Sequence, residues 1–490
     1  MLVIKSRRKR ALALDEPLKH GSHKRPVTRR DFLAQGFTTG AATVVAPAML
    51  AALLNPRAAR ADLSPDLEAL KLNPCNITDG AGKVPFICFD LAGGANIAGS
   101  NALVGQDGGQ MDFLTTQGYS KLGLPGNMLP NNATTNFVNI ELGIAFHSDS
   151  AFLRGILERT TADTRSRVNG SIIAARSEND TGNNPHNPMY GIAKYGSKGE
   201  LLTLIGSQNS ESGGNSMAPA MLMDPANRPT KIDRVTDVVG LVDTGELGTL
   251  FTNPRDTVMV MESMARLSQA KLGRVNTGLT NDTAVKNQVR CGYIKTADTV
   301  DKFNDPTTLN PAVDPLITGA GGVFGPNFGN DREFEKTASV MKLVVDGLAG
   351  AGTISMGGFD YHTGDRSTGE LRDLRAGRCI GAALEYAARV GKPVMIYVFS
   401  DGSLSSNGRV DDSADGRGKG EWTGDNQQTA ASLILVYSPT GRPALLNEAS
   451  IPVERRQQIG YYTGGGDVVT ASSPVANNVN LLVQAVVLNY

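Results

Sequence analysis

Between residues 357 and 401 the chain switches from strand to helix periodicity and back, and no other feature narrows the fold so much. Gly357-Gly358-Phe359-Asp360-Tyr361-His362 comes first. Leu371, Leu374, Ile380, Ala383, Leu384 and Ala387 then recur at helical spacing, which predicts an amphipathic helix over residues 370–390 stopped by Gly391 and Pro393. Residues 393–399, Pro-Val-Met-Ile-Tyr-Val-Phe, follow without a charge and end in Ser400-Asp401-Gly402. An apolar run without alternation belongs to a strand covered on both faces, as in parallel sheets. The carboxyl ends of such strands are where open α/β sheets place their sites.

The same logic extends along the chain. Residues 83–89 read as a buried strand leading into Asp90-Leu91-Ala92-Gly93-Gly94-Ala95-Asn96, residues 171–175 and 432–437 as two more strands, and residues 353–356 as a short one. Helical spacing appears near 254–303 and 332–350, and in residues 141–160 after a short strand-like piece. Residues 479–488 close the chain as an apolar segment. Strands alternating with helices predict one α/β domain over residues 62–490, a mostly parallel sheet flanked by helices, with long polar loop insertions. Residues 100–136, rich in Gly, Asn, Gln and Thr, read as a surface excursion.

The formal net charge of zero conceals an uneven distribution. Of 48 basic and 48 acidic residues, 12 and 3 lie in residues 1–61, leaving 36 and 45, a balance of −9. A remainder of that sign argues against nucleic acid and anionic membrane as partners. The basic front end reads as an address: Thr28-Arg29-Arg30-Asp31-Phe32-Leu33 matches a twin-arginine export signal, residues 34–54 are moderately apolar, and Ala59-Arg60-Ala61 is a small-residue cleavage site. Residues 1–61 are therefore expected to be a signal peptide recognised by the twin-arginine export machinery. The remainder is expected in the periplasm or secreted, with no membrane span after cleavage. Cys75, Cys88, Cys291 and Cys379 show no C-x-x-C spacing, which leaves zinc and redox motifs unsupported. A disulfide from Cys75 to one of the others suits an oxidising compartment, and the sequence leaves the pairing open.

Several residues could carry chemistry. Asp360 and His362, two apart, share a face in an extended segment and suit a divalent metal or an acid/base pair. After residue 61 the histidines are His147, His186 and His362. Asp90 sits where a strand meets a glycine pair, placed to bind a metal or to cap the turn. Asp401 and Asp425 read as loop carboxylates. Asp411, Ser413, Asp415 and Gly416 match the opening of a calcium loop, but Trp422 occupies the position that needs a bidentate Glu, and a solvated loop is the better reading. His186 lies in a polar loop, with Ser177 or Thr181 nearby as a nucleophile. Gly213-Gly214 and residues 464–466 read as turns, and no G-x-S-x-G occurs.

Taken in order, these pieces resemble a twin-arginine-exported bacterial family of unknown function, distantly related to the alkaline phosphatase and sulfatase superfamily. The resemblance rests on residues 89–96, on Gly358-Phe359-Asp360-Tyr361-His362, on the strand delivering Asp401, and on Gly424-Asp425-Asn426. It implies an alkaline-phosphatase-like domain with Asp90, Asp360, His362, Asp401 and Asp425 as metal ligands, and with His186 and Ser177 as catalytic candidates. Asn96, Gly402 and Asn426 depart from the pattern, standing where Asp, His and His are usual. Four Asp and one His make a hard donor set, favouring magnesium, manganese or calcium over zinc. Two functions follow as expectations: a metal-dependent hydrolase of small-molecule or polymer phosphate or sulfate esters, or a catalytically silent scaffold or binding protein that, with a degenerate site, holds no metal.

Overall fold

The computed structural model describes residues 63–75, 83–131, 137–178, 183–242, 253–303, 306–445, 452, 455 and 457–490. The export signal, its cleavage site and Thr181 lie outside these residues. The described residues fall into two compact units, one built from residues 63–75 and 253–303, the other from the rest.

The larger unit is organised by one sheet. Its strands in chain order are β1 (Phe86–Leu91), β4 (Val168–Ala174), β5 (Leu202–Gly206), β6 (Thr230–Lys231), β7 (Ala349–Met356), β8 (Val394–Phe399), β11 (Ala431–Tyr437) and β12 (Gln458–Ile459). Two short pairs stand apart, β2 (Val138–Asn139) with β3 (Phe146–His147), and β9 (Leu404–Asp411) with β10 (Lys419–Asp425). The spatial order of the sheet is β12-β4-β11-β8-β1-β7-β5-β6. Among the described residues only β11 runs against the others. The expected α/β class with a mostly parallel, helix-flanked sheet is therefore observed. Its central strands β1, β7 and β8 are buried along their whole length, as their uninterrupted apolar runs require.

Helices cover both faces. On one, Met189–Lys194 and Val479–Leu488 pack with Phe86, Cys88, Tyr397 and Phe399. On the other, Val340 and Val344 of the helix Arg332–Val345 come so close to Gly352 of β7 that a Cβ there would lie 2.6 Å from Val340 Cγ1. The expected helix is Ser367–Val390, and Gly391 ends it in the left-handed conformation at φ 71°. Leu371 departs from the expected stripe, being 53% exposed. The stripe that matters is made of small residues. A Cβ on Gly377 would lie 2.2 Å from the Phe152 carbonyl oxygen, and one on Gly155 2.4 Å from the Leu374 carbonyl oxygen. This helix and Ala151–Arg159 thus meet backbone to backbone. Gly155→Ala is expected to cost about 1–3 kcal/mol by overpacking, measured as a lowered denaturant midpoint with unchanged m-value. An unaltered midpoint would contradict the contact.

Residues 100–131 differ from expectation. Ala102, Leu103, Val104, Leu122 and Leu124 are fully buried. The stretch is surface only in part: residues 107–108, 115–117 and 126–127 are exposed as expected, while the buried Gln110 satisfies interior backbone, its Nε2 donating to the carbonyls of Leu103 (2.7 Å) and Ala145 (3.0 Å) and its Oε1 accepting from the Ala145 N–H.

The smaller unit consists of the helices Pro65–Leu72, Pro254–Leu272 and Asp282–Lys302 around Leu63, Leu67, Val258, Met261, Ala265, Ile294, Ala297 and Val300. Cys75 pairs with Cys291, while Cys88 and Cys379 are buried thiols. No described helix is long and apolar enough to cross a membrane.

Candidate functional site

Parallel pairing puts the ends of β1 and β8 side by side, with Asp90 in register with Phe399. Beyond those ends the chain makes two tight turns that hold each other. Gly93 and Gly94 have φ of 118° and 114°, a conformation for which L side chains are poorly suited. The Gly93 N–H donates to Asp401 Oδ1 at 2.8 Å, and the N–H groups of Gly94 and Ala95 donate to Ser400 Oγ at 3.1 and 2.8 Å. Ser400 Oγ in turn donates to the Leu91 carbonyl at 2.6 Å. A Cβ on Gly93 would meet Asp360 N at 2.8 Å. The absence of a side chain there lets the Asp360 backbone approach the same glycine whose N–H holds Asp401.

Asp90 and Asp401 form an inner pair, both fully buried. Asp90 accepts from the Ser216 N–H (2.8 Å) and Ser216 Oγ (3.2 Å), and Asp401 accepts from Asn215 Nδ2 at 3.0 Å. Burial pushes the Asp90 carboxyl up to about 6 against those bonds. Burial also raises Asp401, to about 7; the Gly93 N–H opposes the rise and the Asp90 charge adds to it. Asn215 and Ser216 carry this pair and were not singled out in the sequence. Their only signal is the preceding Gly213-Gly214, where a Cβ on Gly214 would lie 2.7 Å from Asp90 Oδ2.

Asp360, His362 and Asp425 form an outer group nearer solvent, each offering one ligand atom within 4.8 Å of the others. His362 Nε2 lies 2.7 Å from Asp360 Oδ1 and 3.9 Å from Asp425 Oδ2. Asp425 reaches this place because residues 404–425 are not a solvated loop. They form the β9–β10 hairpin, with Asp425 at its end opposite Leu404. Trp422, fully buried under the Arg366 guanidinium 4.6 Å from its ring, anchors the hairpin, and its carbonyl accepts from the Gly364 N–H at 2.8 Å. The calcium-like stretch Asp411–Gly416 is the turn of that hairpin, closed by the Gly418 N–H on the Asp411 carbonyl.

Tyr361 faces inward between the two outer ligands Asp360 and His362. Its hydroxyl donates to Asp373 Oδ1 at 2.9 Å and accepts from the Asn96 N–H at 3.4 Å, and Asn101 Nδ2 donates to Asp373 Oδ2 at 2.7 Å. Burial first, then the nearby Glu370 charge, lift Asp373 from 3.8 to about 7, with Asn101 and Arg366 pulling the other way. Below about pH 4 both folded and unfolded states keep this proton. Between there and pH 7 only the unfolded chain releases it, so the folded state loses up to about 4 kcal/mol as pH rises through this window. Asp373→Asn is expected to flatten that part of the stability curve, measured by urea unfolding at pH 4.5, 6 and 7.5. Parallel curves for the two proteins would refute the assignment.

The two catalytic candidates are placed differently. His186 is 2% exposed, stacks on Phe399 with ring centroids 5.9 Å apart, and among the described residues neither ring nitrogen has a hydrogen-bond partner. Burial drives its pKa down to about 4, so the ring is neutral at ordinary pH. Ser177 Oγ is also buried without a partner among the described residues, and no hydrogen bond joins it to His186. Asn184 ties the His186 segment to the site by donating from Nδ2 to the Asp401 carbonyl at 2.8 Å.

The arrangement can hold a cation. Two carboxylates and an imidazole each offer one ligand atom within 4.8 Å of the others, and the Asp401 carboxylate is held by the N–H of Gly93; oxygen-rich donors of this kind are of the type a hard divalent ion takes. Compared with known proteins, the chain matches no family model and no curated sequence.

Proposed function

We propose that this chain is an exported, metal-dependent hydrolase of phosphate or sulfate esters, built on an alkaline-phosphatase-like sheet. The observation that carries the reading is convergence. Asp360, His362 and Asp425, spread over residues 360–425 of the chain, come within 4.8 Å of one another. Asp401, buried just after β8, accepts from the N–H of Gly93, the glycine whose close approach to Asp360 leaves no room for a Cβ. Asp360, His362 and Asp425 would hold one hard cation (magnesium, manganese or calcium), and Asp90 with Asp401 could hold a second. Bound there, the ion would stabilise charge developing on the transferring group. The chain's own part is positional. The Gly93-Gly94 turn fixes Asp401, Tyr361 fixes Asp360 and His362, and the hairpin delivers Asp425. His186 and Ser177 are the catalytic candidates, but both are buried and the burial that keeps the His186 ring neutral opposes its taking up a proton, so a base and nucleophile role would need them to become accessible to substrate. The disulfide Cys75–Cys291 supports an oxidising compartment, in keeping with the export signal read in the sequence.

One observation favours the silent scaffold as a second reading: Ser177 and His186 are not joined as a nucleophile–base pair. A panel of phosphate monoesters, phosphate diesters and aryl sulfates, assayed with magnesium, manganese, calcium and zinc, separates the two. Turnover that needs a hard cation supports the hydrolase. Absence of turnover with every ester and metal leaves the scaffold.

A further inference from the structure

An open groove of about 600 Å³ lies beside the residue that follows the outer ligand Asp425. Asn426, which follows Asp425, lines it together with Gln428, Thr463, Val468, Lys121 and Asp467. Its walls are fixed by backbone bonds: Asn426 N–H to the Ser403 carbonyl (2.8 Å), Val468 N–H to the Gln428 carbonyl (2.8 Å) and Thr463 N–H to the Asp467 carbonyl (2.7 Å). Such a groove requires little ordering when a ligand enters. Its chemistry is mixed in a particular way. Amide and hydroxyl side chains, which donate and accept without charge, stand over an apolar floor at Val468. The cation in the lining, Lys121, is neutralised by Asp467, with Nζ and Oδ1 2.5 Å apart. The Asp425 carboxylate, one residue before Asn426 in the chain, adds no positive charge that could receive an anionic group.

We propose that this groove binds a neutral polyhydroxylated chain, a glycan, as the part of the substrate beyond the ester. Sugar rings present hydroxyls at their edges and C–H groups on their faces, matching amide walls and a valine floor. A nucleotide or polyanionic chain would bring charge that nothing in this lining compensates. As a substrate assignment the inference rests on the hydrolase reading, but the binding does not require catalysis.

The test is equilibrium binding by calorimetry of the purified chain in EDTA, with neutral hexasaccharides of glucose, mannose and N-acetylglucosamine as probes, and hexagalacturonate and ATP as charged comparators. Saturable binding of at least one neutral hexasaccharide is expected. It should weaken about tenfold or more in Gln428→Leu/Thr463→Val, consistent with one or two lost hydrogen bonds, and persist in Asp360→Ala. Both substituted positions are exposed, and unchanged circular dichroism and melting of the variant show that it folds. The groove assignment is overturned if no neutral hexasaccharide binds at millimolar concentration, if the double variant binds equally well, or if hexagalacturonate or ATP binds as tightly. Glycan binding without any ester turnover would end the hydrolase and keep the groove; ester turnover without glycan binding would do the reverse.

Discussion

Asp360→Ala is expected to remove ester hydrolysis, by more than about 100-fold, together with the stabilisation that a hard cation gives the chain. The magnitude follows from position. Removing even a residue that only supports a ligand commonly costs 10–100-fold in metal affinity or activity. Asp360 is itself a donor, 2.7 Å from His362 Nε2 and within 4.8 Å of Asp425. Without it, two ligand atoms 3.9 Å apart remain in the outer group. At a metal concentration 100 times the dissociation constant, binding stabilises the folded state by about 2.7 kcal/mol. Addition of manganese should therefore raise the melting temperature of the parent protein and leave that of Asp360→Ala unchanged. Asp360 is about half exposed on a turn, so the variant should melt near the metal-free parent. A melting temperature in the parent indifferent to all four metals, or activity that survives the substitution, would remove the cation from this site.

Cys75→Ser is expected to release the smaller helical unit. Its core is slight, eight buried apolar side chains shared among three helices, and small cores seldom suffice without a covalent or ionic staple. Besides the half-exposed Arg266–Asp66 pair at 2.8 Å, a buried ion pair and a disulfide staple the described helices together. Lys71 Nζ lies 2.9 Å from Asp298 Oδ1 with both side chains under 10% exposed, and Cys75–Cys291 closes a chain separation of 216 residues. Loss of a native disulfide closing a long loop typically costs about 2–5 kcal/mol. The measurement is hydrogen exchange across residues 253–303 with and without a reductant. Protection should fall in Cys75→Ser, and the reductant should lower it in the parent alone. Equal protection in parent and variant would show that packing alone holds the three helices.

The site was legible in part. Asp360 with His362, and Asp90 and Asp401 where apolar strand runs stop, could be singled out as candidates because an apolar run broken by an acid marks a strand end, although the same pattern also serves to cap a turn. Asp425 could be named but not located. Residues 404–425 are polar and glycine-rich and carry no alternating apolar pattern, so the hairpin that returns Asp425 to the rim left little trace. Asn215 and Ser216 were overlooked for a related reason. A side-chain amide and a backbone N–H gain their role from the acid they face, and that acid lies more than a hundred residues away in the chain.

By itself the sequence determined the local elements whose period is carried by apolar residues: the buried strands, the helix after His362, and the carboxylates and histidine at their ends. Burial against water acts on each short segment independently, so its imprint can be read segment by segment. The tertiary structure alone decided what those residues meet. It paired Cys75 with Cys291, buried Ala102–Val104, Leu122 and Leu124 within a stretch that is elsewhere exposed, left His186 and Ser177 without a hydrogen bond between them, and set Asp90 and Asp401 in the interior while Asp360, His362 and Asp425 gathered nearer solvent. Those outcomes depend on distances between residues remote in the chain, and strand order and close backbone approach set such distances without any local pattern to announce them.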